Sequence, residues 1–248
     1  MMARRGVLGI LGGGLAMMLS GCGLFGGKSR YRYRMTVEIE TPSGVKIGSA
    51  VHEIAASENV IKLVDGDTAW VSFRGEAFPV DLGAGKALFV LVTSSDPGEE
   101  SLIPAVNSAL DPDYRRGGLG NLATVKKMAE SGTKQSAILA PVRKVMGQAR
   151  PFYPLLVRFE DEHKPNTVKE VKPDALASAF GSGYRLLKIT VETTSDDVTE
   201  GIVKRLPWLM YNGKPMRKMA SGSGGWIRDR EPEFSDTVGF YSFKREYQ

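Results

Sequence analysis

The chain has 248 residues, 42 % of them hydrophobic and 25 % charged, with a formal net charge of +5 at pH 7 and a single cysteine. That is ordinary globular composition, long enough to bury a core. So mild a positive balance, without a basic stripe or a recognisable module, excludes a nucleic-acid-binding reading, and one thiol excludes a disulfide framework or a cysteine-based metal site.

The first segment has the layout of an export signal. Arg4 and Arg5 precede an uncharged run from Gly6 to Met18, which ends in Leu19-Ser20-Gly21-Cys22. The run is shorter than the roughly 20 residues of an ordinary membrane span. Its glycines between Gly9 and Gly14 weaken any helix in water, at roughly 1 kcal/mol each relative to alanine. A cysteine preceded by leucine and two small residues is the pattern of a lipobox. Residues 1–21 are therefore expected to be a lipoprotein signal peptide, and Cys22 the acylated N-terminus of the mature chain. Arg4-Arg5 before Gly6-Val7-Leu8 is compatible with twin-arginine export. The missing flanking polar residue leaves the general secretory route at least as well supported.

Residues 22–30 read as a flexible tether. Tyr31, Tyr33, Met35, Val37 and Ile39 then alternate with polar residues, the period of a half-buried strand. Pro42-Ser43-Gly44 supplies a turn, and Val45 to Ala55 a return strand. Val60–Val64 and Thr68–Phe73 flank Asp65-Gly66, a hairpin signal. Ala87 to Thr93 predicts a buried central strand. Asp96-Pro97-Gly98-Glu99 resembles a helix start, although Pro104 within the following pattern kinks the helix or delays its beginning. Asp111 to Gly120 reads as a loop, and Leu122, Val125 and Ala129 mark a second helix that stops at Gly132.

Pro154–Phe159 reads as a strand, Asp174–Phe180 as a short helix ended by Gly181, and Tyr184–Thr193 as an alternating strand. Asp197 and Glu200 resemble a capping box opening a helix from Val198 to Leu206. Val238 to Lys244 reads as a closing strand. Strands come first and helices are inserted in the middle and C-terminal part, so the expected class is α+β, with one domain over 31–248 and a possible sub-boundary near 95–120.

Several of these segments carry a resemblance. Tyr31-Arg32-Tyr33-Arg34-Met35-Thr36-Val37-Glu38, Gly75-Glu76-Ala77 leading to Val80-Asp81-Leu82, and Leu88-Phe89 resemble a family of uncharacterised proteobacterial proteins. So do Leu156 to Asp161, Asp174-Ala175-Leu176-Ala177 through Phe180-Gly181, Ile189 to Glu192 and Lys204 to Leu209. The resemblance spans roughly residues 31–209. It implies membership and a shared domain; the family has no established activity, so no catalytic residue is implied.

The chemistry-bearing residues are sparse. His52 lies in an expected strand and His163 in a charged turn, and neither has a second ligand at zinc spacing. No Gly-x-Ser-x-Gly elbow places a serine nucleophile. Arg115 and Arg116 in the glycine-rich stretch before the second helix could hold an anion, but the stretch lacks the Gly-Lys-Ser/Thr of a P-loop. Ser221 to Trp226 matches no dinucleotide fingerprint. Asp65-Gly66-Asp67 and Asp196-Asp197 fit a turn and a helix start better than a calcium loop. No cofactor or metal is expected.

Arg30, Arg32 and Arg34 stand close to Cys22 and could meet anionic head groups, with Tyr31 and Tyr33 at the interface; the alternative is a strand with arginines on its polar face. Trp208 and Trp226 are candidates for an exposed patch. The function expected is that of a periplasm-facing envelope lipoprotein with a binding domain. Its partners would be the bilayer, through Cys22, and an envelope protein. Gly23 after Cys22, in place of an aspartate, tilts the address towards the outer membrane. The alternative is an envelope hydrolase acting on cell-wall or lipid substrates, whose mark would be a pocket holding His52 or His163 beside a serine or carboxylate.

Overall fold

A computed structural model describes residues 28–58, 69–96, 99–140, 142–145, 148–211, 214–215, 234 and 237–246. The expected signal peptide, Cys22, the Asp65-Gly66 turn and the Ser221–Trp226 stretch lie outside the described residues. The class is α+β, with a strand-rich N-terminal part.

Strands β1 (Ser29–Thr41) and β2 (Gly44–Glu58) form a long hairpin. Alternation drives it: Tyr31, Tyr33, Met35, Val37 and Ile39 all enter the core, each worth about 1.5–3 kcal/mol when fully buried. At the turn the Thr41 hydroxyl donates to the Gly44 carbonyl at 2.7 Å, and Gly44 takes φ +103°, which a side chain would resist. The strand claims Ser29 and Arg30 from the expected tether, pairing them with Ala56 and Ala55. β3 (Ala69–Glu76) pairs with the far half of β2. β4 (Phe78–Gly83) and β5 (Lys86–Ser94) follow as a second hairpin.

Helix α1 (Ile103–Leu110) begins well after Asp96, because Pro104 is accommodated only in a first turn. α2 (Gly118–Glu130) begins inside the expected loop and buries Met128, while Ala129 stays exposed. The short strands β6 (Ser136–Ile138), β7 (Val142–Val145) and β8 (Gln148–Pro151) lead to β9 (Pro154–Phe159) and β10 (Val168–Glu170). α3 (Leu176–Phe180) stops at Gly181, φ +114°, and β11 (Arg185–Thr194) returns beside β1.

The tail departs further from expectation. α4 (Ile202–Arg205) is a single turn starting after Gly201, and Pro207 opens a 3₁₀ turn. β12 (Met210–Tyr211) pairs with β13 (Lys214–Pro215). The segment read as a closing strand is α5 (Phe240–Phe243), with strand β14 (Lys244–Arg245) at its end.

The six-stranded sheet runs β14-β3-β2-β1-β11-β6 and the four-stranded sheet β10-β9-β5-β4. One cluster packs the inner face of the larger sheet, α1 and α2 against Leu88, Val90, Val92 and Leu156. A second packs the other side of the smaller sheet, with Phe89, Leu91 and Val157, against Ile202, Leu206, Leu209 and Phe243. β5 is thus buried on both faces, which explains its uninterrupted apolar run. The larger sheet, the smaller sheet and the C-terminal segment form three layers.

Candidate functional site

An open groove of about 720 Å³ lies where β1 starts. Arg30 and Arg32 of β1, Glu53 of β2, the end of α2, Thr133 and Lys134 beyond it, and Thr193 to Ser195 at the end of β11 line it. Antiparallel register brings these together: Arg32 lies opposite Glu53 on one side and Thr194 on the other.

The lining is strongly polar and largely paired. Arg32 Nε donates to Glu53 Oε2 at 3.0 Å, and Nη1 reaches Asp197 Oδ1 at 2.8 Å and the Asp196 carbonyl at 3.0 Å. Glu53 is only 2 % exposed, and its carboxylate, with Asp197, holds the Arg32 guanidinium above its ordinary pKa. Arg34 donates to Asp196 Oδ2 at 2.5 Å, and the Thr194 hydroxyl to the same oxygen at 2.9 Å. Thr194 and Arg34 together pull the Asp196 carboxyl below the usual range. Lys134 Nζ sits 2.9 Å from Glu192 Oε1.

Of the three arginines considered for membrane contact, Arg32 and Arg34 therefore strap the Ser195–Asp197 segment to the sheet. Arg30 is exposed and makes no ion pair among the described residues. The same pairs correct the expected capping box. Asp197 is held by Arg32 and Glu200 by Arg74 at 2.8 Å, so neither caps a helix.

Arg115 and Arg116, the residues considered for an anion, have different surroundings. Arg116 is paired with Glu99, and Arg115 is exposed. The glycines there answer a packing need: a Cβ on Gly120 would lie 1.6 Å from the Arg115 carbonyl oxygen, and Gly117 takes φ +114°.

Neither histidine is among the residues that line the groove. His52 is buried among Tyr33, Phe73 and Phe78, with ring centroids 5.4, 5.4 and 6.3 Å away. Its Nε2 lies 3.0 Å from the Glu76 carbonyl, which can only accept, so Nε2 carries the proton. Nδ1 has no hydrogen-bond partner among the described residues, and burial lowers the pKa to about 4. His163 is exposed in its turn, with its backbone N–H on Asp161 Oδ1 at 3.0 Å. Trp208 belongs to the second core: it packs on Phe159 and Phe243, and its indole N–H donates to the Glu162 carbonyl at 2.6 Å. Trp226 lies outside the described residues.

Sequence reasoning missed Glu53 and Lys134 as groove residues, and Trp70, which is 69 % exposed at the start of β3. Glu53 and Lys134 carry no local signal, since only register and the return of β11 assemble the groove. Trp70 does carry one. It stands three residues before Phe73, so within one strand the two face opposite sides. No helix among the described residues is long and apolar enough to cross a membrane. No family model, no curated protein and no solved structure matches this chain.

Proposed function

We propose that this chain is a bacterial envelope lipoprotein, anchored through acylated Cys22 and facing the periplasm, whose domain is a binding module working from the groove beside β1. The observation that carries this reading is the position of that groove. It opens at the first residues of β1, and only Gly23 to Lys28 separate Cys22 from Ser29. A ligand or partner held there would sit next to the membrane surface. The hydroxyls, Arg30, which makes no ion pair among the described residues, and the half-buried Arg32–Glu53 pair suit a polar or acidic partner. The burial of His52, whose ring is closed in by Tyr33, Phe73 and Phe78 and does not line the groove, supports binding over hydrolysis. An outer-membrane address is preferred because Gly23 stands where an aspartate would retain the protein at the inner membrane.

Two measurements test this. A Cys22→Ser variant should incorporate no labelled palmitate and should leave the membrane fraction; palmitate at wild-type level in that variant overturns the anchor. Crosslinking in the native envelope should capture a partner that is lost on Arg30→Glu with Lys134→Glu. Unchanged capture removes the groove from the reading.

A further inference from the structure

The groove is one of two unusual features at this end of the larger sheet. On the outer face of the sheet, Arg30 stands opposite Ala55, and in the next row Ser57 stands opposite Trp70. Directly opposed residues share a face, so Trp70 and Arg30 lie in adjacent rows on the side away from the core, which receives Tyr31 and Phe73. Trp70 is the most exposed of the large hydrophobic residues described, at 69 %. Arg74 and Arg32, in the row beyond Arg30, are neutralised by Glu200 and Glu53. Arg30 has no such partner among the described residues.

We propose that Trp70 and Arg30 dock the domain on the head-group region of an anionic bilayer, so that this edge of the sheet, as well as the acyl chains, fixes how the domain stands on the membrane. The proposal rests on the lipid-anchor reading. Three physical points favour a bilayer as the occupant. Tryptophan is amphipathic and concentrates at membrane–water interfaces, where its ring is shielded and its N–H stays wet. An arginine beside it adds about 1 kcal/mol against an anionic surface. Reach then selects this end of the molecule. Seven backbone steps from Cys22 to Ser29 extend to about 25 Å at most, which keeps the Trp70 row close to the lipid. Ile47, also on the outer face and 63 % exposed, lies about 30 Å further along β2 at roughly 3.3 Å per residue.

The experiment uses the full-length protein, acylated in cells and reconstituted into phosphatidylethanolamine–phosphatidylglycerol vesicles. Acylation consumes the only native thiol, so Trp70→Cys and, separately, Ile47→Cys each present one site for an environment-sensitive fluorophore. The label at position 70 should be blue-shifted and quenched by brominated lipids roughly twofold more than the label at 47, and Arg30→Glu should reduce that difference. Equal quenching at the two sites, with palmitate incorporated and the vesicles floating the protein, overturns the docking and leaves the anchor standing. Absence of palmitate from the wild-type chain overturns the anchor and the docking with it. Shielding of position 70 that survives transfer from vesicles to detergent, together with a crosslinked protein, assigns the patch to a protein partner instead and also overturns the proposal.

Discussion

The imidazole of His52 meets the rings of Tyr33, Phe73 and Phe78 and hydrogen-bonds to the Glu76 carbonyl. Burial keeps it neutral, with its pKa lowered from 6.5 to about 4. The unfolded chain binds a proton there near pH 6.5 and the folded chain does not until about pH 4. This contribution to stability is therefore fully present above pH 6.5 and is lost as the pH falls towards 4, by at most roughly 3 kcal/mol. Urea titrations at pH 7 and pH 4.5 should show that loss, and His52→Phe should flatten it. A His52→Phe protein with the wild-type slope between those pH values would show that other groups set it. The same residue shows what sequence alone conceals. A histidine in an alternating strand is compatible with a catalytic base, and only the closure of Tyr33, Phe73 and Phe78 around it makes it a core residue. The pattern before Cys22, by contrast, lies in neighbouring residues, so the expectation drawn from it needs no tertiary contact.

Among elements, legibility followed the range of the forces involved. β1, β2, β5, β9 and β11 were readable because one or two buried faces impose a period on the chain itself. α4 and α5 were not. Asp197 and Glu200 have the spacing of a cap, yet Arg32 and Arg74, distant in sequence, take their carboxylates. Val238 to Lys244 is rich in aromatic and β-branched residues, as a strand would be. Tertiary packing on the smaller sheet overrides that propensity. One contact between elements was equally invisible. β2 crosses β4 so closely that a Cβ on Gly48 would lie 2.7 Å from the Pro79 carbonyl oxygen and 2.8 Å from Val80 Cγ2. Gly48→Ala must push two strands apart and should cost about 1–3 kcal/mol, whereas Ser49→Ala, on the exposed side, should change little. Chemical denaturation distinguishes them; equal midpoints would mean that the two sheets yield freely at this crossing.

For the whole molecule, a buried carboxylate reinforces the tie that the β14–β3 pairing makes between the C-terminal layer and the larger sheet. Glu76 Oε2 accepts from the backbone N–H groups of Gly201 and Ile202 at 2.5 and 2.8 Å, and Oε1 lies 2.9 Å from Lys244 Nζ. Glu76→Ala leaves the two amides without their acceptor and the partly buried Lys244 ammonium with Glu246 in place of two carboxylates, at a cost of about 3 kcal/mol. Hydrogen exchange should then quicken at Ile202 to Leu206 more than in β1. Unaltered protection of those amides would show that strand pairing and apolar packing hold the layer without that carboxylate. β1 itself has a different consequence. The strand nearest the expected anchor is not at an edge of its sheet: β2 holds one flank from Ser29 to Thr41, and β11 the other from Arg32 to Glu40. Tension drawn through the tether therefore runs along the strand axis and loads both ladders in shear, so many hydrogen bonds must fail together before the strand slides. An attachment at an edge would instead let them open one after another, like a zip. If the membrane pulls on this protein, it pulls on a strand held on both flanks.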